Sequence, residues 1–359
     1  MSTADSAGLL HHVNLARGYR GGERQTELLI RGLSAYLPNQ RLIARRGTPL
    51  HTRLENSPGI EVIPASGRRE ALAATAGAYF LHAHETRAAQ VSCLRHLRSR
   101  TPYIITRRID NRPRPDPLTR LMYRRAARVV VLSNAIGASL AAMVPRAEQQ
   151  RIPSVASNLP SDPTWVREFR ERFNGKFLVG QVAALDDSHK GQLTLLEAAR
   201  RVAPSNPDLQ FLLVGSGRDD ERIRSAAKDL DNVSFTGWVE NVGDHLAALD
   251  LFVLPSLNEG LGSILLDAMQ FGLAIVASDV GGIPDVVEHG DNGLLVPPGE
   301  PAPLADAIVR LYRDSEMRNA MSTAARQRAE NYRPESMVER YWELYLKVFP
   351  EISKLQASA

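Results

Sequence analysis

From residue 173 onward, short apolar runs rich in β-branched residues alternate with amphipathic stretches of helical period, and few folds accommodate that alternation. Strands are expected at Phe177–Ala183, Leu209–Val214, Val233–Phe235, Leu251–Leu254, Leu273–Ala277 and Leu294–Val296, with helical patterns between them. Such an order builds a parallel sheet covered on both faces. The earlier half repeats it, with strands expected at Leu9–Asn14, Arg41–Ala44, Glu61–Ile63, Tyr79–Ala83, Tyr103–Thr106 and Arg128–Leu132. The expected fold class is α/β, with two doubly wound, Rossmann-like domains and a cleft between the carboxyl ends of their strands, where open sheets of this kind bind ligands.

A chain of 359 residues exceeds one ordinary core and suits two domains. Pro153, Pro160 and Pro163, with Ser154, Ser157, Asn158 and Ser161 among them, form the best breaker-rich stretch and place a hinge near 155–172. The domains are drawn at 1–160 and 161–336. Met337, Val338, Tyr341, Trp342, Leu344, Tyr345 and Val348 form a wide helical stripe, so a helix within about 337–359 should pack back on the first domain.

Composition narrows the partners. One cysteine, Cys93, excludes an internal disulfide and a Cys-based zinc site. The N-terminal Met-Ser-Thr-Ala-Asp-Ser has no basic, apolar leader pattern, and no window reaches the ~18 apolar residues of a membrane span, so a cytoplasmic protein is expected. The net charge of +4 conceals a split: residues 1–160 carry 24 basic side chains, all Arg, against 10 acids. A preference for Arg codons accounts for Arg over Lys but not for the deficit of acids. Arg presents a planar fork to phosphate and carboxylate, which suits an anionic acceptor or an anionic bilayer at the inner membrane face; nucleic acid is not expected.

The chemistry concentrates in Pro255-Ser-Leu-Asn-Glu259-Gly260-Leu261-Gly262-Ser263, which follows a buried strand and opens a helix over Ile264–Phe271 ended by Gly272. Gly260 and Gly262 let the backbone approach a ligand, and the helix start offers unpaired N–H groups to a diphosphate. A structural turn also uses such glycines. Ser263 and Asp267 share one helix face, with Ile264, Leu265, Ala268 and Met269 on the buried one.

At Glu259 and Asp267, an acid pair spaced Glu-x7-Asp, the sequence resembles the retaining glycosyltransferase family 4 of the GT-B fold, whose pattern usually has Glu at both ends. The resemblance extends through Ala184-Leu-Asp-Asp-Ser-His-Lys190-Gly191, Leu213-Val-Gly215-Ser-Gly217, Phe235-Thr-Gly237-Trp238-Val239 and Gly281-Gly282-Ile283-Pro284. It implies that Glu259 contacts donor-sugar hydroxyls, that Asp267 binds the nucleotide ribose, and that Lys190 neutralises the departing diphosphate. Gly237, Trp238 and Val239 stand where the family's backbone reads the base; Trp238 either covers that base or belongs to the core. The family usually has Arg where this chain has Ala184, so one of two customary phosphate cations is missing, and Lys190 or an Arg from elsewhere must compensate. Gly215-Ser-Gly217 lacks the third glycine of a dinucleotide fingerprint, which argues against a nicotinamide oxidoreductase.

In the first half, Gly18-Tyr-Arg-Gly21-Gly22-Glu23 matches the family's glycine-rich acceptor-side loop, so the N–H groups of Gly21 and Gly22 are candidates to meet the donor diphosphate; a plain turn is the alternative. His82 and His84 share a strand face, but two histidines without a third ligand are poor evidence for zinc, and they read better as cleft-facing polar residues. Thr106-Arg107-Arg108 stands where many relatives have Thr-x-His. Arg108 cannot act as a base near neutral pH, so it is expected to bind phosphate or an acidic acceptor, with Arg107 as an acceptor-side candidate.

The expected activity is metal-independent transfer of a hexose-type unit, with retention, from a UDP- or GDP-linked sugar to a cell-envelope glycan or glycolipid such as a lipopolysaccharide core. No cofactor is called for, the nucleotide sugar being a co-substrate. Two rivals stand: a sugar-nucleotide epimerase or hydrolase of the same fold, and a non-catalytic sugar-nucleotide-binding module.

Overall fold

The computed structural model describes residues 10–109 and 115–352. The chain divides into two compact units, the first running to Ser157 and resuming at Arg333, the second spanning Asn158–Tyr332.

The first unit runs β1 (Leu10–Asn14), α1 (Gly21–Leu33), β2 (Gln40–Arg45), α2 (Pro49–Leu54), β3 (Ile60–Ala65), α3 (Arg68–Ala74), β4 (Phe80–Ala83), α4 (Thr86–Ser99), β5 (Tyr103–Arg107), α5 (Pro117–Arg125), β6 (Arg128–Val131), α6 (Asn134–Met143) and β7 (Gln149–Arg151). The second runs α7 (Pro163–Glu171), β8 (Phe177–Val182), α8 (Asp187–Lys190), α9 (Gln192–Val202), β9 (Leu209–Val214), α10 (Asp220–Ala226), β10 (Val233–Gly237), α11 (Val242–Ala247), β11 (Leu251–Leu254), α12 (Ser263–Gln270), β12 (Ile275–Ser278), β13 (Gly293–Val296), α13 (Pro301–Arg313) and α14 (Ser315–Ala329). The helix α15 (Pro334–Val348) returns to the first unit.

Both sheets are wholly parallel and share one design: β3-β2-β1-β4-β5-β6-β7 and β10-β9-β8-β11-β12-β13. In each, the chain winds outward one way, returns, and winds the other way, so the order reverses once, between β1 and β4 and between β8 and β11. Loops leaving those neighbouring strands diverge and open a crevice at their carboxyl ends. The central strands β9, β11 and β12 are buried along their whole length, because helices cover both faces. The expected strands are present to within two residues; β7, Gln-Gln-Arg, was not foreseen, since an edge strand pairs on one side and needs no apolar run.

Helix α15 buries Met337, Val338, Tyr341, Trp342, Leu344 and Tyr345 against Leu10, Leu29, Leu33, Phe80, Ile104 and Val130. At roughly 1.5–3 kcal/mol for each large apolar side chain, that face contributes on the order of 10 kcal/mol or more. Close approach to α1 depends on Gly32, where a Cβ would sit 2.3 Å from Cγ2 of Val338. The part of the 337–359 stretch from 353 onward lies outside the described residues. Among the described residues, no helix is long and apolar enough to cross a membrane.

Candidate active site

In the second unit the reversal point holds the motif residues. Lys190 ends α8 in the loop after β8, and Glu259 stands in the loop after β11; their Nζ and Oε2 meet at 2.5 Å, with side chains 25% and 13% exposed. Two strands adjacent in the sheet but far apart in sequence thus put one cation and one carboxylate in contact. The hydroxyl of Ser256 donates to the same Glu259 oxygen at 3.3 Å.

Glycines hold these loops together. Gly191 adopts φ +63° beside Pro255, whose carbonyl oxygen lies 2.0 Å from where a Cβ would stand, and the N–H of Leu257 donates to the His189 carbonyl at 2.8 Å. Gly281, at φ +59°, leaves 1.9 Å between a Cβ and the Glu259 carbonyl oxygen, while the N–H of Gly282 donates to that oxygen at 3.0 Å. Gly-Gly-Ile-Pro therefore serves as the backrest of Glu259. Gly215 and Gly217 pack in the same way on the carbonyls of Ala183 and Leu185, and Gly215 N–H donates to Gly237 at 2.9 Å.

Gly262 caps α12 at φ +79°, a left-handed conformation that favours glycine. The helix begins at Ser263, and its buried face is Leu265, Leu266, Ala268 and Met269; Ile264, expected there, is only half-buried. Ser263 is half-buried and Asp267 buried at 7% exposure. Gly260 and Leu261 are buried. Val239 is half-buried, and Trp238, 69% exposed, is not core as one of its two readings had it. At the same edge, Arg218 donates to Asp186 at 2.7 Å and to Ser188 at 2.5 Å; the sequence offered it only as the residue after a glycine pair.

In the first unit the carboxyl edge carries Gly21 and Gly22 at the start of α1, and the Arg108 stem lies 3.3 Å from where a Gly22 Cβ would be. The Arg108 Nε and Nη2 are buried without a hydrogen-bond partner among the described residues. Arg107 does not join them. Alternation along β5 sends it to the opposite face of the sheet, 4% exposed, with Nη1 donating to the Tyr123 hydroxyl at 2.9 Å, which corrects its acceptor-side assignment.

His82 and His84 are likewise buried, at 0% and 2% exposure, which corrects the expectation that they are cleft-facing polar residues on the acceptor side. His82 Nδ1 pairs with Tyr345 and Nε2 with Thr106, each at 2.7 Å, and Thr106 also pairs with Tyr341 at 2.8 Å. His82 thus anchors α15 to the sheet. The third histidine, His12 on β1, completes a trio whose ring nitrogens lie within 4.8 Å, the spacing of a metal site. Five of the six nitrogens already have partners. Gln40 Nε2 donates to the Ile30 carbonyl, so its Oε1 accepts from His12 Nε2–H at 3.0 Å; His12 Nδ1 must then accept from His84 Nε2–H at 2.9 Å. Only His84 Nδ1 remains, a buried lone pair. Burial holds all three pKa values down, His12 to about 3, so the trio is neutral and structural.

Residues 176–314 match the sequence family described as Glycosyl transferases group 1. Among curated relatives, N-acetyl-alpha-D-glucosaminyl L-malate synthase of Bacillus anthracis is 38% identical over 145 residues, 39% of this chain and 38% of that protein. Phosphatidyl-myo-inositol mannosyltransferase of Mycobacterium leprae is 33% identical over 178 residues, covering 48% and 47%. The lipopolysaccharide core biosynthesis glycosyltransferase LpsE of Rhizobium meliloti is 29% identical over 194 residues, covering 47% and 55%. The chain thus spans about half the length of these relatives or less. Anabaena HepE, solved with UDP and glucose, superposes with a TM-score of 0.82 at 21% identity over 94% of this chain and 99% of that one, which shows that the fold is shared.

Proposed function

Since residues 176–314 belong to the glycosyl transferases group 1 family, we propose that the chain transfers a sugar from a nucleoside diphosphate sugar to an anionic acceptor. The observation that carries this reading is the Lys190–Glu259 contact at the reversal point of the second sheet, framed by glycines. Lys190, with the N-terminus of α12 behind Gly262, stabilises the diphosphate as it departs, and Glu259 orients the sugar. Arg218 lies on the same rim and supplies the cation that Ala184 does not. Asp267 holds the ribose, and Gly237, Trp238 and Val239 meet the base, with the exposed indole laid over it. Transfer proceeds with retention and without a metal, as the resemblance implies.

The acceptor carries a phosphate or carboxylate. Arg108, with two unpartnered guanidinium nitrogens beside Gly22, supports this, and so do the names of two relatives, whose acceptors are L-malate and phosphatidyl-myo-inositol. A glycolipid or lipopolysaccharide core at the inner membrane face fits both the charge and the name of LpsE. A thermal-shift screen against UDP-, GDP- and ADP-sugars tests the reading: one nucleotide class should raise the melting temperature, because a ligand stabilises the state that binds it. A flat response to all three would overturn it.

A further inference from the structure

Six large apolar side chains among the described residues are exposed, and three of them lie on two neighbouring helices of the first unit. Leu94 and Leu97, 41% and 48% exposed, lie one turn apart on α4; Leu118, 56% exposed, lies on α5. The two helices pack side by side, since β4, β5 and β6 are successive neighbours and right-handed crossovers in one direction lie on one face of the sheet. Arg125 of α5 stands close enough for its charge to act on Cys93 of α4, one residue from Leu94.

The same segment is the most basic in the chain. Residues 86–128 hold 12 Arg and two acids, Asp110 and Asp116. Asp110 lies outside the described residues. Asp116 caps α5, accepting from the N–H and hydroxyl of Thr119, and the flanking Glu85 caps α4, accepting from Arg87 and Ala88. Arg87, Arg98, Arg100, Arg120, Arg124 and Arg125 are all exposed, so the two helices and their ends expose guanidinium groups and leucines, with no exposed carboxylate on either helix.

We propose that the α4–α5 face is a docking surface for an anionic lipid bilayer, with Leu94, Leu97 and Leu118 entering the acyl boundary and the surrounding Arg side chains meeting lipid phosphates. The charge fits a cytoplasmic leaflet, and aliphatic side chains add binding by partitioning out of water. Nucleic acid fits less well, because these helices expose leucine where a strand would need aromatic stacking partners. The proposal rests on the reading of the acceptor as membrane-held, and it names the surface that brings the enzyme to it.

Flotation of the full chain with phosphatidylcholine vesicles, with and without phosphatidylglycerol, tests the surface. Binding is expected only with the anionic lipid, weakening as salt is raised. Each Arg near such a surface is worth about five-fold in partition. Reversing two of them in R98E/R120E should therefore lower binding by at least about 25-fold, and L94S/L97S should lower it at constant charge. K228E, an exposed change on α10's side of the second unit, should bind as the parent does. Equal binding to neutral vesicles, no binding at low salt, or parental binding by both multiple variants overturns the proposal. So does capture of a short RNA duplex that depends on the Arg pair while the leucine pair is without effect. Nucleotide-sugar melting shifts are read on the same samples: shifts without vesicle binding sink the docking surface alone, and vesicle binding without shifts sinks the transferase reading instead.

Discussion

Lys190 and Glu259, 69 residues apart in sequence, meet at 2.5 Å where the strand order of the second sheet reverses between β8 and β11. The contact fixes the Glu259 carboxylate against the Lys190 ammonium, at the place where a diphosphate would arrive. Lys190→Ala and Glu259→Gln should each lower transfer by well over ~10²-fold, as expected for groups that stabilise developing charge or fix the reacting sugar. Each variant's melting temperature is read beside its turnover, because removing one partner of a largely buried pair leaves the other charge uncompensated. Turnover near the parent level in either variant, measured with saturating donor, would remove that residue from the mechanism.

Gly281 gives a sharper test of the loop architecture. Its φ of +59° and the 1.9 Å between a Cβ and the Glu259 carbonyl oxygen leave Ala no relaxed position. Gly290 has φ +86° with nothing within 4 Å of a Cβ, so Ala there meets only the backbone penalty of about 1–2 kcal/mol. Gly281→Ala should lower the melting temperature more than Gly290→Ala does and should abolish transfer. Equal activities in the two would mean that the Gly281 contact does not position Glu259.

The alternation of apolar runs was enough to read both sheets, because buried parallel strands are nearly continuous in Val, Ile and Leu. Lys190 and Glu259 were singled out by the family resemblance that the surrounding motifs carry, and the structure brings their side chains together. Residues whose reason lies in distant chain were not. Gly32 looks like a weak spot in α1 until Val338 is seen against it, 306 positions later. His12 carries no signal beyond a polar residue in a strand, yet it completes the trio with His82 and His84 through the parallel pairing of β1 with β4. Arg107 was misread because proximity to Arg108 in sequence places it on the opposite face in a strand.

The histidine trio makes the first unit sensitive to acid. Burial lowers the pKa values of His12, His82 and His84 below the unfolded value of 6.5, to about 3 for His12, so the unfolded chain binds protons that the folded one refuses. The stabilisation is complete above pH 6.5 and declines as pH falls toward the folded values, by about 1.4 kcal/mol per pH unit for each such group. His11, lowered to about 4 by burial and by Arg41 and Arg95, adds to the slope. For His12 and His11, whose folded values lie below 5, the loss between pH 6.5 and 5 is roughly 2 kcal/mol each, and His82 and His84 add to it in the same direction. Urea unfolding followed by Trp342 fluorescence, the indole packed on Tyr36 in this unit, should show that decline, and His84→Asn should make it shallower by one histidine's share. An unchanged slope in the variant would mean that His84 takes up its proton in the folded state.

Arg108 sets stability and activity against each other. Its Nε and Nη2 are buried without acceptors, and burial lowers its pKa from the ordinary value despite Tyr341 and Glu23 nearby. Two buried guanidinium nitrogens without partners among the described residues are a cost to the folded state, so Arg108→Gln should leave the first unit as stable as the parent or stabilise it by about 1 kcal/mol. If the group is held in readiness for an acidic acceptor, the same variant should raise the KM for that acceptor at least ten-fold while nucleotide-sugar melting shifts stay unchanged. Arg108→Lys, which restores the charge without the planar fork, should recover only part of the loss. A destabilised Gln variant with normal acceptor affinity would make Arg108 a structural residue and leave the acceptor's charge to be recognised elsewhere.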